Sequence, residues 1–316
     1  DYQKDSVLPT SIQASQLAAQ VKWSKILFGT AIKAKGYQSL KETYATTDLN
    51  LNINRLLLKD ISAFASFQYR SQPLNFNYHL FQSDFKEYNW SNTNLVNQNT
   101  STKSVGVSHP KWGNVSAAWS TINNYGFFVN RTPLNSLNKK FKVEVIQLDK
   151  QIDYFKARFN QRLDFGKLSW INNVQYQKVT QEQDLDQILG DPLTLNVPEW
   201  LIRSTLMLTS SIFNKALSFQ SGATFVFFTD YYADQYNPLL SEFVTQNNTK
   251  IGEYPRVDFF FNAKIKSSRI FIKLENVSAT IEHLINVDTP YDYYAAPFTP
   301  YRDFSIRFGL IWNFFQ

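Results

Sequence analysis

The C-terminal stretch FSIRFGLIWNFFQ (Phe304–Gln316) sets Phe304, Ile306, Phe308, Leu310, Trp312 and Phe314 against Ser305, Arg307, Gly309 and Asn313. Successive side chains of a β-strand point to opposite faces, so this period of two describes a ribbon with one greasy side and one polar side. The pattern recurs upstream. DLNLNIN (Asp48–Asn54) opposes Leu49, Leu51 and Ile53 to Asp48, Asn50, Asn52 and Asn54. ALSFQSGATFVFF (Ala216–Phe228) sets Leu217, Phe219, Ala223, Phe225 and Phe227 against Ser218, Gln220, Gly222 and Thr224. RVDFFFNAKIK (Arg256–Lys266) sets Val257, Phe259, Phe261, Ala263 and Ile265 against Arg256, Asp258, Asn262, Lys264 and Lys266.

Further strand windows fall at roughly 13–23, 25–36, 60–70, 73–84, 101–109, 113–122, 125–131, 139–149, 151–163, 167–177, 200–213 and 269–277, which brings the expectation to about 16 strands, range 14–18. Helical periodicity is confined to the neighbourhood of Gln183–Leu189, inside a loop. The connections FNK (Phe213–Lys215) and KSS (Lys266–Ser268) are tight, whereas Thr180–Glu199, Thr229–Tyr254 and Ser278–Arg302 are long and rich in Asp, Asn, Pro and Tyr. Short and long turns therefore fall on opposite ends of the strands. No composition break marks a linker, and residues 1–316 read as a single domain.

Composition excludes several classes of function. Phe, Tyr and Trp make up 16% of the chain and Cys is absent, which favours strands and removes disulfide, thiol and thiolate-metal chemistry together. The net charge of +6 is spread along the chain without a basic cluster, so nucleic acid is not an expected partner. No apolar run approaches the ~20 residues of a membrane-spanning helix. The start, DYQKDSVLPT, has no apolar leader region or cleavage site, so the sequence reads as a mature form or as part of a longer parent.

A soluble β-sandwich also alternates, but its strands average only about 5–6 residues. Here the windows run to lengths that cross hydrocarbon at a tilt of about 45°. Aromatic residues gather at strand ends, at Trp200, Tyr254, Trp312, Phe314 and Phe315, as membrane-interface girdles require. The polar side is dense, with Lys156, Arg158, Asn160 and Arg162 on one strand. These features predict an all-β, transmembrane, antiparallel up-and-down β-barrel with short periplasmic turns and long extracellular loops. An open edge in hydrocarbon would leave backbone groups unpaired, so the last strand is expected to close on the first.

On that register the pore-lining candidates are Lys156, Arg158, Arg162, Arg203, Asp258, Lys264, Lys273 and Arg307, with Lys266 beside them. The lipid-facing candidates are Phe219, Phe225, Phe259, Phe261, Ile306, Phe308, Leu310 and Trp312. The pore-lining cations either favour anionic solutes or are matched by acids such as Asp153, Asp258 and Glu275 without net selectivity. His79, His109 and His283 lack the spacing of a helical zinc site. Ser108 and His109 are adjacent on a strand and so point to opposite faces. The Asp/Tyr segments TDYYADQYNP and DTPYDYYAAP place Asp230, Asp234, Asp288 and Asp292 in loops that either contact sugars or cations or simply pack on themselves. The expectation is therefore no catalytic residue, no metal site, no cofactor and no enzymatic activity.

From about Trp170 the chain resembles the putative porin family of Bacteroidetes outer membranes. The stretches that carry the likeness are NVQYQKV (Asn173–Val179), VPEWLIRSTL (Val197–Leu206), FTDYYADQYNPLLSEF (Phe228–Phe243), IGEYPRVDFFFNAKIKSSRIFIKLENV (Ile251–Val277) and YRDFSIRFGLIWNFF, with YNWSNTN (Tyr88–Asn94) upstream. The resemblance implies a Gram-negative outer-membrane barrel acting as a diffusion channel for small hydrophilic solutes. The alternative is a structural or accessory barrel subunit of a larger outer-membrane complex. Expected partners are outer-membrane lipid, small hydrophilic solutes, the barrel-assembly machinery during biogenesis and other outer-membrane proteins. A barrel hydrolase would need an acid/base pair on adjacent strands, and a TonB-dependent transporter of about 22 strands with a plug exceeds this length.

Overall fold

Strand after strand joins one antiparallel sheet in chain order. The computed structural model describes residues 9, 11–12, 17–40, 44–85, 87–130, 143–181, 195–214, 216–280 and 293–312. Its main sheet runs β1 (Ala18–Leu27), β2 (Thr30–Ser39), β3 (Thr47–Leu58), β4 (Ile61–Gln72), β5 (Gln98–His109), β6 (Gly113–Asn123), β7 (Ile152–Phe165), β8 (Leu168–Gln181), β9 (Trp200–Ile212), β10 (Leu217–Phe228), β11 (Arg256–Ile265), β12 (Ser268–Glu275) and β13 (Ser305–Trp312). Every neighbouring pair is antiparallel and consecutive.

The connections alternate without exception. Turns of two to four residues join β1–β2, β3–β4, β5–β6, β7–β8, β9–β10 and β11–β12 at one end, and all the longer connections lie at the other. At the first turn Phe28 and Gly29 both have positive φ, 49° and 74°, which is the hairpin geometry whose twist matches that of the flanking strands.

Thirteen strands build the sheet where about sixteen were expected. Residues 73–84 supply a one-turn helix (Phe76–His79) and the two-residue strand Leu80–Phe81. Windows 125–131 and 139–149 contribute Gly126–Asn130 and Val143–Gln147 to a separate four-stranded sheet with Glu242–Thr245 and Gln235–Asn237. Gly126 to Val129 are buried on both faces, so they belong to a packed interior and not to a two-faced wall. The first two windows also shift: the turn falls at Phe28–Gly29, not near residue 24, because apolar residues occupy both parities from Ile26 to Phe28. The helical window Gln183–Leu189 and the terminal Phe314, Phe315 and Gln316 lie outside the described residues.

Among the described residues no ladder joins β1 to β13. The expected closure of the last strand on the first is therefore not detected among these residues.

Burial is inverted relative to a water-soluble sheet. Phe308 is 81% exposed and Phe259 44%, and no second sheet covers them among the described residues. Side chains with almost no exposure, Phe128, Val129, Ile152 and Leu240, instead sit in or against the long connections. Leu206→Arg, midway along β9 on the uncovered face, is expected to cost about 2–4 kcal/mol of unfolding free energy in lipid vesicles. On the opposite face of the same strand, Thr209→Arg at an exposed position should change that value by no more than about 0.5 kcal/mol; urea titration followed by tryptophan fluorescence compares the two.

Candidate functional site

The inner face of the sheet is identified by what packs on it. Phe127, Val129 and Leu148 bury against Ile152, with Ile122 and Val179 alongside, and these last three are cross-strand partners or share parity on β6, β7 and β8. Following the registers from Ile152 assigns every strand residue to this face or the other.

Basic residues dominate the inner face along its whole width. β1 and β2 contribute Lys22, Lys33 and Lys35, and β4 contributes Arg70. β7 and β9 add Lys156, Arg158, Arg162 and Arg203. β11 to β13 add Arg256, Lys264, Arg269, Lys273 and Arg307. Against these thirteen cations the same face carries, among the described residues, four acids: Asp48, Asp164, Asp258 and Glu275. The expected pore-lining residues Lys156, Arg158, Arg162, Arg203, Asp258, Lys264, Lys273 and Arg307 thus share one face. Lys266 instead occupies the β11–β12 turn, and Asp153 falls on the opposite face, where it accepts from Thr121 Oγ1 at 3.2 Å.

Each of these acids has a basic partner. Asp258 is 4% exposed and meets Lys273 Nζ at 3.2 Å and Arg256 Nε at 3.6 Å, while accepting from the Asn276 amide at 3.0 Å. Glu275 takes Lys273 and Arg307, each at 2.7 Å. The result is an alternating chain Arg256–Asp258–Lys273–Glu275–Arg307 stitched across β11, β12 and β13. It borders a cavity of about 1100 Å³ into which Arg203, Thr205, Thr224 and Asn262 also face. Asp48 pairs with Arg70 at 3.2 Å and Asp164 with Arg162 at 3.0 Å.

Inward-facing aromatic rings lie flat against the wall. Phe64 covers Gly106, Phe260 covers Gly222 and Phe271 covers Gly309, each on the neighbouring strand, and a Cβ on any of these glycines would collide with the ring. Glycine is needed here for close approach, and the ring in turn shields the exposed backbone.

At the long-connection end, three connections pack into a cap. Residues 73–97 bring Tyr78, Phe81, Tyr88 and Trp90; 124–151 bring Phe128, Val143 and Val145; 229–255 bring Leu240 and Val244. The rings of Tyr78 and Phe128 stack at 4.3 Å. Asn75 and Asn77 both donate to Glu242 Oε1, at 2.6 and 2.9 Å. Asp234 is enclosed beside Thr245, and burial raises its pKa. Burial, reinforced by the charge of Asp234, pushes the Tyr125 hydroxyl up to about 12; Tyr78 is raised for the same leading reason.

Among the described residues no second layer packs over the opposite face. Phe219, Phe225, Phe259, Phe261, Ile306, Phe308, Leu310 and Trp312 all lie on it. Near the long-connection end a row of rings crosses four strands, Trp119 to Phe155 at 5.3 Å, Phe155 to Tyr176 at 6.2 Å and Tyr176 to Trp200 at 4.9 Å. Lys103 and Lys178 flank this row in register with Trp119 and Phe155, a level at which a long side chain reaches water while its stem stays in apolar surroundings. Phe28, Trp112, Phe165 and Phe213 are exposed around the short turns. From Trp200 to Ile212 the strand climbs about 40 Å, which at a tilt near 40° covers roughly 30 Å, the thickness of hydrocarbon. Two polar groups of this face, Ser204 and Asn172, satisfy each other and the Trp170 indole at 2.8 Å. Tyr254 does not join the girdle, being buried with Tyr293 and Tyr301 and donating to Asn276 Oδ1 at 2.5 Å.

The remaining singled-out residues have structural partners. His109 Nδ1 accepts from the amides of Lys111 and Trp112 at 3.0 and 3.1 Å, capping the β5–β6 turn. The His79 ring meets Tyr44 edge-on at 5.1 Å. Asp230 pairs with Lys250 at 2.9 Å. His283, Asp288 and Asp292 lie outside the described residues.

A meander of long two-faced strands with an uncovered apolar exterior, aromatic belts and a charged interior defines an integral outer-membrane β-barrel. The chain belongs to the putative porin family, whose model matches residues 2–316. A search of curated proteins finds no match. Among solved structures the chain is similar to the ferric enterobactin receptor PfeA of Pseudomonas aeruginosa (13% identity, TM-score 0.58, 82% of this chain and 39% of that one). It is also similar to the siderophore receptor PirA of the same organism (13%, 0.55, 82% and 44%) and to the FrpB iron transporter of Neisseria meningitidis (12%, 0.52, 82% and 40%). The likeness is one of fold, and the chain spans less than half the length of these relatives.

The cap should respond to pH through Asp234. A carboxyl whose pKa is raised on folding favours the folded cap while protonated, and that advantage is lost as pH climbs above the ordinary value of about 4. Protection factors of the Val244 and Thr245 amides in detergent, which divide out the intrinsic pH dependence of exchange, should therefore rise on acidification from pH 7, and Asp234→Asn should give at neutral pH the protection seen at low pH.

Proposed function

We propose that this protein is a porin-like channel in the outer membrane of a Gram-negative bacterium of the Bacteroidetes type, passing small hydrophilic solutes by passive diffusion. One observation carries the reading: a predominantly polar and charged face backs directly onto an apolar face with no protein cover among the described residues. A surface of that kind needs water on one side and lipid on the other. Short turns then face the periplasm and long connections the exterior. The cap narrows the outer mouth and sets an upper size for the solute. The barrel carries out no covalent chemistry and uses no cofactor.

The same cap favours a second reading, an accessory barrel with its lumen blocked, belonging to a larger outer-membrane complex. Purified protein in planar bilayers and in proteoliposomes separates the two. The channel reading expects stepwise conductance and swelling that is faster for small sugars than for larger ones. Conductance equal to that of bare bilayer, together with co-purification of other outer-membrane proteins at fixed stoichiometry, would establish the accessory reading instead.

A further inference from the structure

We propose that the lumen selects anions, and that its natural solutes are small oxyanions carrying carboxylate or phosphate groups. This deepens the channel reading and rests on it. The whole chain is nearly balanced, with 32 Lys and Arg against 26 Asp and Glu, so the thirteen-to-four excess on the inner face is not a consequence of composition.

What stands opposite the cations is more telling than their number. In register, Lys35 faces Asn50 and Lys33 faces Asn52; Lys156 faces Gln177, Arg158 faces Gln175 and Arg203 faces Asn173. Each partner position holds an amide where a carboxylate would neutralise the charge. Two pairs go further and place like charges directly across from each other, Lys22 with Lys35 and Lys264 with Arg269. Such pairs destabilise a sheet, and none of these four side chains has an ion-pair partner among the described residues. A passing anion supplies the missing counter-charge and is released as readily, because no fixed acid competes and no cage of ligands holds it. The cations also run the depth of the wall. Arg203, Arg256 and Arg307 lie near the long connections, and Lys264 and Arg269 lie beside the short β11–β12 turn. Two carboxylates of the cap are already engaged, Glu242 by Asn75 and Asn77 and Asp230 by Lys250.

The test is the reversal potential of the purified protein in a planar bilayer under a potassium chloride gradient, repeated with potassium gluconate. Anion preference is expected, with a chloride-to-potassium permeability ratio above about 3 near 0.1 M salt that falls toward unity near 1 M as screening shortens from about 10 to 3 Å. Gluconate should carry measurable current. Lys264→Gln with Arg269→Gln, and separately Lys22→Gln with Lys35→Gln, should each lower the ratio at least twofold with open-channel current retained. A conducting channel that prefers potassium, or that shows no preference, would overturn the anion proposal alone. A ratio indifferent to both double variants would overturn the role assigned to these pairs. Absence of any conductance would remove the channel reading itself.

Discussion

Everything in this molecule depends on the antiparallel hydrogen-bond ladder holding its register without a slip. Hydrocarbon offers no water to an unpaired amide, so each spanning backbone group must find a strand neighbour. The same ladder fixes side-chain parity, and a one-residue slip would send every Lys and Arg of a strand into lipid and every Phe into water. The penalty for that exchange runs to several kcal/mol per strand when a single buried-depth cation costs about 2–4. Register is therefore specified more strongly here than in a sheet with one solvated face. The one interior irregularity in the main sheet, between Leu56 and Leu58, lies beside a short turn, where the cost of a shift is least.

The wall could not have supplied a hydrophobic core of its own, because its apolar side is turned to lipid. The only place left for water-excluding packing is the long connections, and that is where Phe128, Val129, Leu240 and Val244 are found. Their packing converts segments from three distant parts of the chain into one body resting on Ile122, Ile152 and Val179. Its polar contacts are mostly Asn and Gln side chains bonding to backbone carbonyls, as with Gln147 to Val96 and Asn124, and Asn97 to Ala45. Such bonds tolerate the variable geometry of loops better than a β-ladder would, and they anchor the cap without drawing on the lumen's charges.

The faces of β10, β11 and β13 were legible in the sequence because bulky and polar residues alternate there at most positions, with inward-facing exceptions such as Val226, Phe260 and Ile311, and the tight connections FNK (Phe213–Lys215) and KSS (Lys266–Ser268) follow from the same rhythm. The β1–β2 turn was not, since Ile26, Leu27 and Phe28 blur the period and Phe28–Gly29 is the only local cue. The cap was illegible for a different reason. Phe127, Phe128 and Val129 are buried on both sides, so their pattern is continuous, and the parallel pairing of Val244 with Phe128 joins residues more than a hundred positions apart. Nothing local announces that contact. Of the interior residues, Lys156, Arg158 and Arg203 could be read from parity alone. The glycines beneath Phe64, Phe260 and Phe271 could not, because the cross-strand pairing that makes them matter is a property of register.

A charged inner wall must satisfy two demands that pull apart. Strands held by ion pairs gain stiffness, as β11 to β13 do through Asp258 and Glu275, but each pair removes a charge from the field above that face. The two ends of the sheet resolve this differently. In β11 to β13 five charged groups in an alternating chain leave an excess of one, while in β2 and β3 Lys33 and Lys35 stand across from Asn52 and Asn50 and have no ion-pair partner among the described residues. An amide can accept a hydrogen bond from a cation without cancelling its charge, as Gln175 Oε1 does from Arg158 Nε at 2.7 Å, so that side chain is oriented and the potential survives. Because the wall is backed by hydrocarbon, that potential is focused into the aqueous space and not dissipated outward. The arrangement of amides opposite cations, more than the cations themselves, is therefore the feature that turns a solvated wall into an electrostatic one.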